Sequence, residues 1–489
     1  MTPEKNDTSV VRPPSATPSM NGQFRPAALA LLISALLAGC VASSDYANEE
    51  LRVPAQYGRG DAALNTPEQP LSLQATYPAR DVAEDAWWLN FGDDNLDRMV
   101  QQALRVNSDL AIAGFRLQQA RLQAELAGND LLPQLNGSVS ASSSRALDRH
   151  DTSVRSSGAG VSLGWEVDLW GRLRTQRDIA SWDANASAED RESTALSLVG
   201  EICRQYWSLA YLNQSIAAGA ANLARLQRTV ELVQSQFDAG AVSGLELREA
   251  QQNLEGQRTA QSQLLQQRVE TRNAIAVLLD GNPWPQADEP QNLTFSRSPN
   301  LQPGIPAELL GRRPDLRAAE LRLRGSLAAI KVTAASYYPA LSLTGTVSTG
   351  ATSLSDVIEN PIGTLGAGLT LPFLNFREMH FNTEIAAADY QIAARDFRAT
   401  LYTALSEVDN ALSADAQLTE QVASAQRSFD SAADIERLYE VRYRAGATDL
   451  RVWLDAQQAR RNAELTLAQV KLNQLTNDVT LYQALGGGD

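Results

Sequence analysis

The chain has 489 residues, 44% of them hydrophobic, with a formal net charge of −15 at pH 7. That is a globular composition with length enough for a large core or several domains, and its acidity argues against a nucleic-acid partner, which needs clustered Lys and Arg. Two His (His150, His380) and two Cys (Cys40, Cys203) leave almost no material for a zinc site, a His-based triad or a disulfide framework.

Residues 26–39 form an apolar stretch of signal-peptide length behind Arg25, too short to span a bilayer comfortably. The stretch ends in Leu37-Ala38-Gly39-Cys40, which resembles a bacterial lipobox. Small residues let a signal peptidase close on the backbone, and the Cys40 thiol takes the diacylglycerol, with an N-acyl chain added after cleavage. The alternative is an ordinary secretory signal with an incidental Cys. Val41 stands where an Asp would retain such a protein at the inner membrane, so the expected destination is the outer membrane. Residues 1–39 are read as the signal peptide, with Met20 a plausible true start because residues 1–19 are polar and Pro-rich. No other apolar run reaches the roughly 18 residues of a spanning helix. A membrane crossing by the mature chain therefore requires β-strands.

The remainder is two copies of one unit. Asp109-Leu110 recurs as Asp315-Leu316, Leu117 as Leu323, Pro133 as Pro339, Gly240-Ala241 as Gly446-Ala447, and Ala250-Gln251-Gln252 as Ala456-Gln457-Gln458, every pair 206 positions apart. The first unit, 95–280, reads as a helix, strands over about 134–143 and 160–170, a long helix over 176–239 and a helix over 243–280. Leu135, Gly137, Val139 and Ala141 alternate with Asn136, Ser138, Ser140 and Ser142, and Val161, Leu163, Trp165 and Val167 alternate with Ser162, Gly164, Glu166 and Asp168. A period of two with one apolar and one small polar face is a strand signature. It fits a half-buried hairpin in a soluble sheet, and equally a membrane strand with a wet lumen. Trp165 and Trp170 suit either an interfacial girdle or a core. Only Gly200 and Gly219 interrupt the long helix between Arg172 and Ala239. At 1.5 Å per residue it extends about 100 Å. Leu223, Leu226, Val230, Val233 and Phe237 give its end a coiled-coil stripe.

Gly240, Ala241, Val242 and Ser243 form a small-residue turn, with Gly240 as a C-terminal cap and Ser243 to Glu246 as a capping box. The segment 281–304, rich in Pro, Asn and Gln, is a linker. The second unit, 305–480, repeats the order: a helix, strands over about 340–349 and 365–374, a long helix over 380–445 without Gly or Pro, and a helix over 449–480. Its turn is Gly446, Ala447, Thr448 and Asp449, with Thr448 or Asp449 opening the last helix. The tail is 481–489. Four strands cannot close a barrel, and open edges in lipid cost several kcal/mol per unpaired group. Membrane strands here demand several copies, and three would supply twelve strands.

Taken together, these features resemble the TolC-like outer membrane factors, in particular the lipoprotein branch with OprM and the NodT-type efflux proteins. The phrases that carry the resemblance are Trp87-Trp88 with Phe91-Gly92-Asp93 and Leu96, Trp165 to Arg172, Ile305 to Leu316, and Leu481 to Gly488. The resemblance implies a mainly α chain with a small membrane β part. Three chains would form a twelve-stranded β-barrel continuous with a twelve-helix periplasmic barrel, with an equatorial belt from residues near 50–94, 281–304 and the C-terminal end. It implies a homotrimer in the outer membrane, working with a periplasmic adaptor and an inner-membrane transporter of the RND or a similar type, and no cofactor beyond the lipid on Cys40. The tips around Gly240 and Gly446 would meet the adaptor. The family's acidic gate ring falls on Asp455, and its Leu constriction, four residues earlier, falls on Arg451, a departure. Three Asp455 carboxylates round an axis repel one another and attract cations, and Arg451, one turn away, suits their neutralisation. The alternative is an exposed surface pair worth about 0.3–0.5 kcal/mol. Tyr443 falls on a position that ties neighbouring helix pairs, although a packed helix-end aromatic explains it as well. Cys203 reads as a small buried hydrophobe. The functional expectation is the exit duct of an efflux pump for drugs, toxic compounds or metal ions. Its alternatives are a type I protein-secretion duct, a coiled-coil scaffold and, last, an enzyme.

Overall fold

The computed structural model describes residues 52–54, 57, 68–70, 85–145, 153–293, 306–352, 359 and 361–488. The described chain opens with two short strands, β1 (Arg52–Pro54) and β2 (Glu68–Pro70), paired antiparallel. Cys40, residues 1–39 and the later half of the linker lie outside the described residues.

Asp93 starts the first helix by accepting from the backbone N–H groups of Asn95 (2.9 Å) and Leu96 (3.2 Å). Helix α1 (Asp94–Val106) buries Leu96, Met99, Val100 and Ala103, the stripe that an amphipathic helix turns inward. The sequence reading has one helix here, but Asn107 divides it. Its backbone is extended, its side chain accepts from Leu110 N–H to open α2 (Ser108–Asn129), and its amide donates to the Leu278 carbonyl at 3.0 Å.

Strands β3 (Gln134–Arg145), β4 (Ser153–Val167), β5 (Ala340–Ala351) and β6 (Ile362–Thr370) form one antiparallel sheet in that order. The central β4–β5 pairing joins the two repeats. Strand β4 begins at Ser153, earlier than the expected 160, because Arg155 to Gly158 lack alternation yet still pair with Ser140 to Ser143 through the backbone. Strand β6 stops at Thr370 where 374 was expected. Pro372 has no N–H to give a ladder and instead opens a 3-10 turn over Pro372–Leu374.

Two long helices leave the sheet: α3 (Arg172–Asp238, 67 residues) and α6 (Phe376–Arg444, 69 residues). Each turns back, into α4 (Gly244–Leu278) and α7 (Leu450–Leu485). Between the repeats, α5 (Pro314–Ala335) lies 206 positions after α2 and has the same 22-residue length. No described helix is long and apolar enough to cross a membrane. Helix α7 runs on to Leu485, past the expected 480, because Leu481, Tyr482 and Leu485 are buried and the stop is Gly486, at φ 85°.

The core lies at mid-height and joins distant phrases of the sequence. Trp87 stacks on Tyr482 with centroids 4.7 Å apart, and Phe91 meets Trp207 at 5.7 Å. Tyr206 Oη donates to Asp93 at 2.7 Å, and Gly488 N–H donates to Asp85 at 2.7 Å. Arg313 donates to the Ala484 carbonyl at 3.2 Å and to Glu407 at 2.6 Å. Gly486 is required beside them: a Cβ there would lie 2.6 Å from the Arg312 carbonyl. The two glycines inside α3 also mark close approaches. A Cβ on Gly200 would lie 2.0 Å from the Gln483 amide, and one on Gly219 2.1 Å from Gln261.

Candidate functional site: an exposed apolar sheet and paired helix tips

Alternate residues of a strand share a face, and the observed register aligns those faces across the sheet. One row is Leu135, Leu163, Gly345 and Leu365, and the next row on that face holds Trp165, Leu343 and Ala367. The other face carries Asn136, Ser162, Thr346 and Thr364. The apolar face is left uncovered in the protomer: Val139 is 81% exposed and Leu365 is 92% exposed. A soluble sheet packed on its own helices would bury these side chains. The polar face is hydroxyls and amides, with Glu166 near the end of β4 that leads into α3.

The phrase Trp165 to Arg172 builds the join between sheet and helix. The Trp165 indole N–H donates to the Leu131 carbonyl at 3.0 Å and the Trp170 indole to the Pro339 carbonyl at 2.8 Å. Trp170 also meets Tyr338 edge-on at 5.3 Å. Arg172 pairs with Glu166 at 2.8 Å. Asp168, just outside β4, accepts from the backbone N–H groups of Leu173 and Arg174 and from the Arg174 guanidinium, at 3.0 to 3.1 Å. Burial raises its pKa, but these donors outweigh burial and hold the carboxyl below the usual range. This cap starts α3 at Arg172, ahead of the expected 176.

The two tips have the same backbone. Gly240 N–H donates to Phe237 and Ala241 N–H to Gln236; Gly446 N–H donates to Tyr443 and Ala447 N–H to Arg442. Both glycines are left-handed, at φ 69° and 70°, as helix-ending turns of this kind require. Gly240, Ala241, Ser243, Gly446, Ala447 and Asp449 are exposed, and Val242 and Thr448 half-buried. Ser243 and Glu246 form the capping box. Asp449 occupies the N-cap position of α7, but its side chain makes no capping hydrogen bond.

Behind the tips lies a small core of Val233, Leu247, Ala250, Leu450, Trp453 and Leu454. Tyr443 stacks on Trp453 at 5.2 Å and donates its hydroxyl to Gln236. Gln236 and Trp453 were not singled out from sequence; the offset of 206, which places Tyr443 opposite Phe237, was the available signal. Arg451 and Asp455 lie one turn apart on α7 and both are exposed, on the side away from buried Trp453. No ion pair joins them in the protomer. Cys203 is fully buried in the mid-height core, and burial pushes its thiol pKa far up.

Residues 99–281 and 305–487 match the outer membrane efflux protein family, as two segments with the repeat's own offset. The chain is 32% identical over 422 residues to the pyoverdine export outer membrane protein OpmQ of Pseudomonas putida, covering 84% of this chain and 89% of that protein. Among solved structures, the outer-membrane channel OprN superposes with a TM-score of 0.78 at 27% identity, covering 90% of this chain and 98% of that one. A structure of CusC, described as forming a transmembrane channel, superposes at 0.77 with 25% identity, covering 90% and 100%. With both repeats matched and a lipid-suited sheet continuous with long helices, this chain belongs to the outer membrane efflux protein family and is an outer-membrane channel protein.

Proposed function

We propose that three copies of this chain form the outer-membrane exit duct of a tripartite efflux pump, passively conducting small molecules received through a periplasmic adaptor from an inner-membrane transporter. The observation that carries the reading is the four-stranded sheet, with one face apolar and exposed and with β3 and β6 each paired on one side only. Lipid covers such a face, and closure removes such edges. Three sheets give a twelve-stranded barrel whose Ser, Thr and Asn face lines a wet lumen. The long helices carry the duct about 100 Å into the periplasm. The 32% identical relative is named for pyoverdine export, which supports an export duct.

Cys40 carries the lipid anchor in this reading, and the paired tips at Gly240 to Ser243 and Gly446 to Asp449 receive the adaptor. Arg451 and Asp455 are exposed on one face of α7 just behind the second tip. Around a threefold axis they would meet their symmetry mates, so the tunnel mouth is latched by charge rather than by an apolar ring. The test is planar-bilayer conductance of purified trimers. Asp455→Ala and Arg451→Ala are expected to conduct more than the parent at the same voltage. Unchanged closure in both ends the charged gate, and a chain that stays monomeric and silent ends the duct.

A further inference from the structure

Apart from the sheet, tips and core, a cleft of about 230 Å³ opens on the outer side of α1. Arg98, Gln101, Gln102 and Arg105 line it at i, i+3, i+4 and i+7, on the face opposite the buried stripe of that helix. Trp284 and Asp288, from the segment after α4, form the other wall. Trp284 is held firmly: it packs against the aromatic core, and its indole N–H donates to the Asp288 carbonyl at 3.3 Å. Arg98 is engaged by Asp288 at 3.1 Å. Arg105 is exposed and makes no hydrogen bond or ion pair among the described residues. The cleft thus has two guanidinium groups against one carboxylate, a positive surplus in a chain of net charge −15.

We propose that this cleft binds a carboxylate-bearing amino sugar of the cell-wall polymer, with its carboxylate on Arg105 and its ring against Trp284. A guanidinium takes a carboxylate through two parallel hydrogen bonds. The Gln101 and Gln102 amides offer donors and acceptors to an acetamido group or hydroxyls, and the indole offers an apolar face to the ring. The volume is below the 300–1,000 Å³ of sites that enclose a whole drug-sized ligand, so the cleft accommodates one ring of a longer chain. The core beneath it includes Trp207, thirty-five residues along α3 from Arg172, which puts the cleft about 50 Å from the sheet. The inference rests on the duct reading, because only a duct that crosses the periplasm meets that polymer at mid-height.

The experiment uses full-length acylated trimer with isolated peptidoglycan sacculi and, separately, with soluble muropeptides. The parent is expected to co-sediment with sacculi, and Arg105→Gln and Trp284→Leu to lose at least about tenfold in affinity, roughly 1.4 kcal/mol. Arg105 lies on an exposed turn, so Arg105→Gln reports binding even if Trp284→Leu unfolds. If Arg105 served only the last turn of α1, its loss would move the melting temperature and leave retention unchanged. Retention that excess soluble muropeptide displaces assigns the polymer. Muropeptide binding without retention assigns the free fragment and overturns the polymer. Equal retention of parent and Arg105→Gln, or no binding of either ligand, overturns the site. Bilayer conductance of the same Arg105→Gln trimers is expected to match the parent, which separates failure of this site from failure of the duct reading.

Discussion

Tyr443 donates its hydroxyl to Oε1 of Gln236 at 2.7 Å, joining two long helices across 207 residues of sequence. The contact lies just above both tips, so it ties one helical hairpin to the other where the tunnel would narrow. Tyr443→Phe keeps the stacking on Trp453 and removes only the hydrogen bond. A neutral hydrogen bond contributes about 1 kcal/mol, so the closed state should weaken about fivefold. Single-channel recordings are expected to show more frequent opening, with the melting temperature nearly unchanged.

Gly200 leaves room on α3 for the side-chain amide of Gln483 from α7. An added Cβ would strike the amide of Gln483, which accepts from Arg204 at 2.7 Å and donates to the Leu196 carbonyl at 3.2 Å. Gly200→Ala forces the Gln483 side chain to swing aside and give up these two hydrogen bonds, a loss of about 1–2 kcal/mol. Alanine's better helix propensity offsets that by about 1 kcal/mol, so a small net destabilisation is expected. Thermal unfolding followed by circular dichroism measures it. A rise in midpoint would mean that the Gln483 hydrogen bonds contribute less than the helix propensity gained.

Leu365, on the edge strand β6 of the exposed apolar face, tests which side meets lipid. Leu365→Arg should cost about 2–4 kcal/mol if the residue sits near the bilayer midplane. The variant should accumulate in the periplasm instead of the outer membrane fraction. Thr364→Arg, on the opposite face, should insert normally and shift ion selectivity.

Asp168 couples pH to the junction of sheet and helix. Its pKa is lowered in the folded chain, so its contribution to stability is complete above the ordinary carboxylate value of about 3.9 and is lost as pH falls through the folded value. Heat resistance of the trimer should fall between about pH 4 and lower values. Asp168→Asn should lower it at neutral pH and flatten that acid limb. An unchanged limb would place the titrating group elsewhere.

The two cysteines give a direct measure of lipidation. Cys203 is buried, with its thiolate strongly disfavoured, so native protein should not react with a maleimide. Denatured protein should show one thiol if Cys40 is acylated, and two if it is retained and bare.

The repeat made much of this fold legible. An offset of 206 fixes β5 from β3 and α5 from α2, and the alternation at Leu135 and Leu343 gives the correct face without any knowledge of pairing. Three of the misplaced boundaries share a cause. The start of β4, the end of β6 and the break at Asn107 are set by backbone partners: Ser140 to Ser143, the missing N–H of Pro372, and the Leu278 carbonyl. None of these is a feature of the local pattern. The mid-height core was equally hidden. Trp87 and Tyr482 lie nearly 400 positions apart, and sequence flagged both only through family phrases. Gly200 and Gly219 were visible as interruptions, but their purpose lies in Gln483 and Gln261, on other helices.

The seam between β4 and β5 also has an evolutionary reading. Sequence symmetry makes it the counterpart of the contact between β6 of one chain and β3 of the next. The duct is then a ring of six quasi-equivalent hairpin staves. An unduplicated ancestor would have needed six molecules to meet in the bilayer. Fusing the staves in pairs makes every second join intramolecular, which exempts it from the dilution that limits assembly of rare envelope proteins.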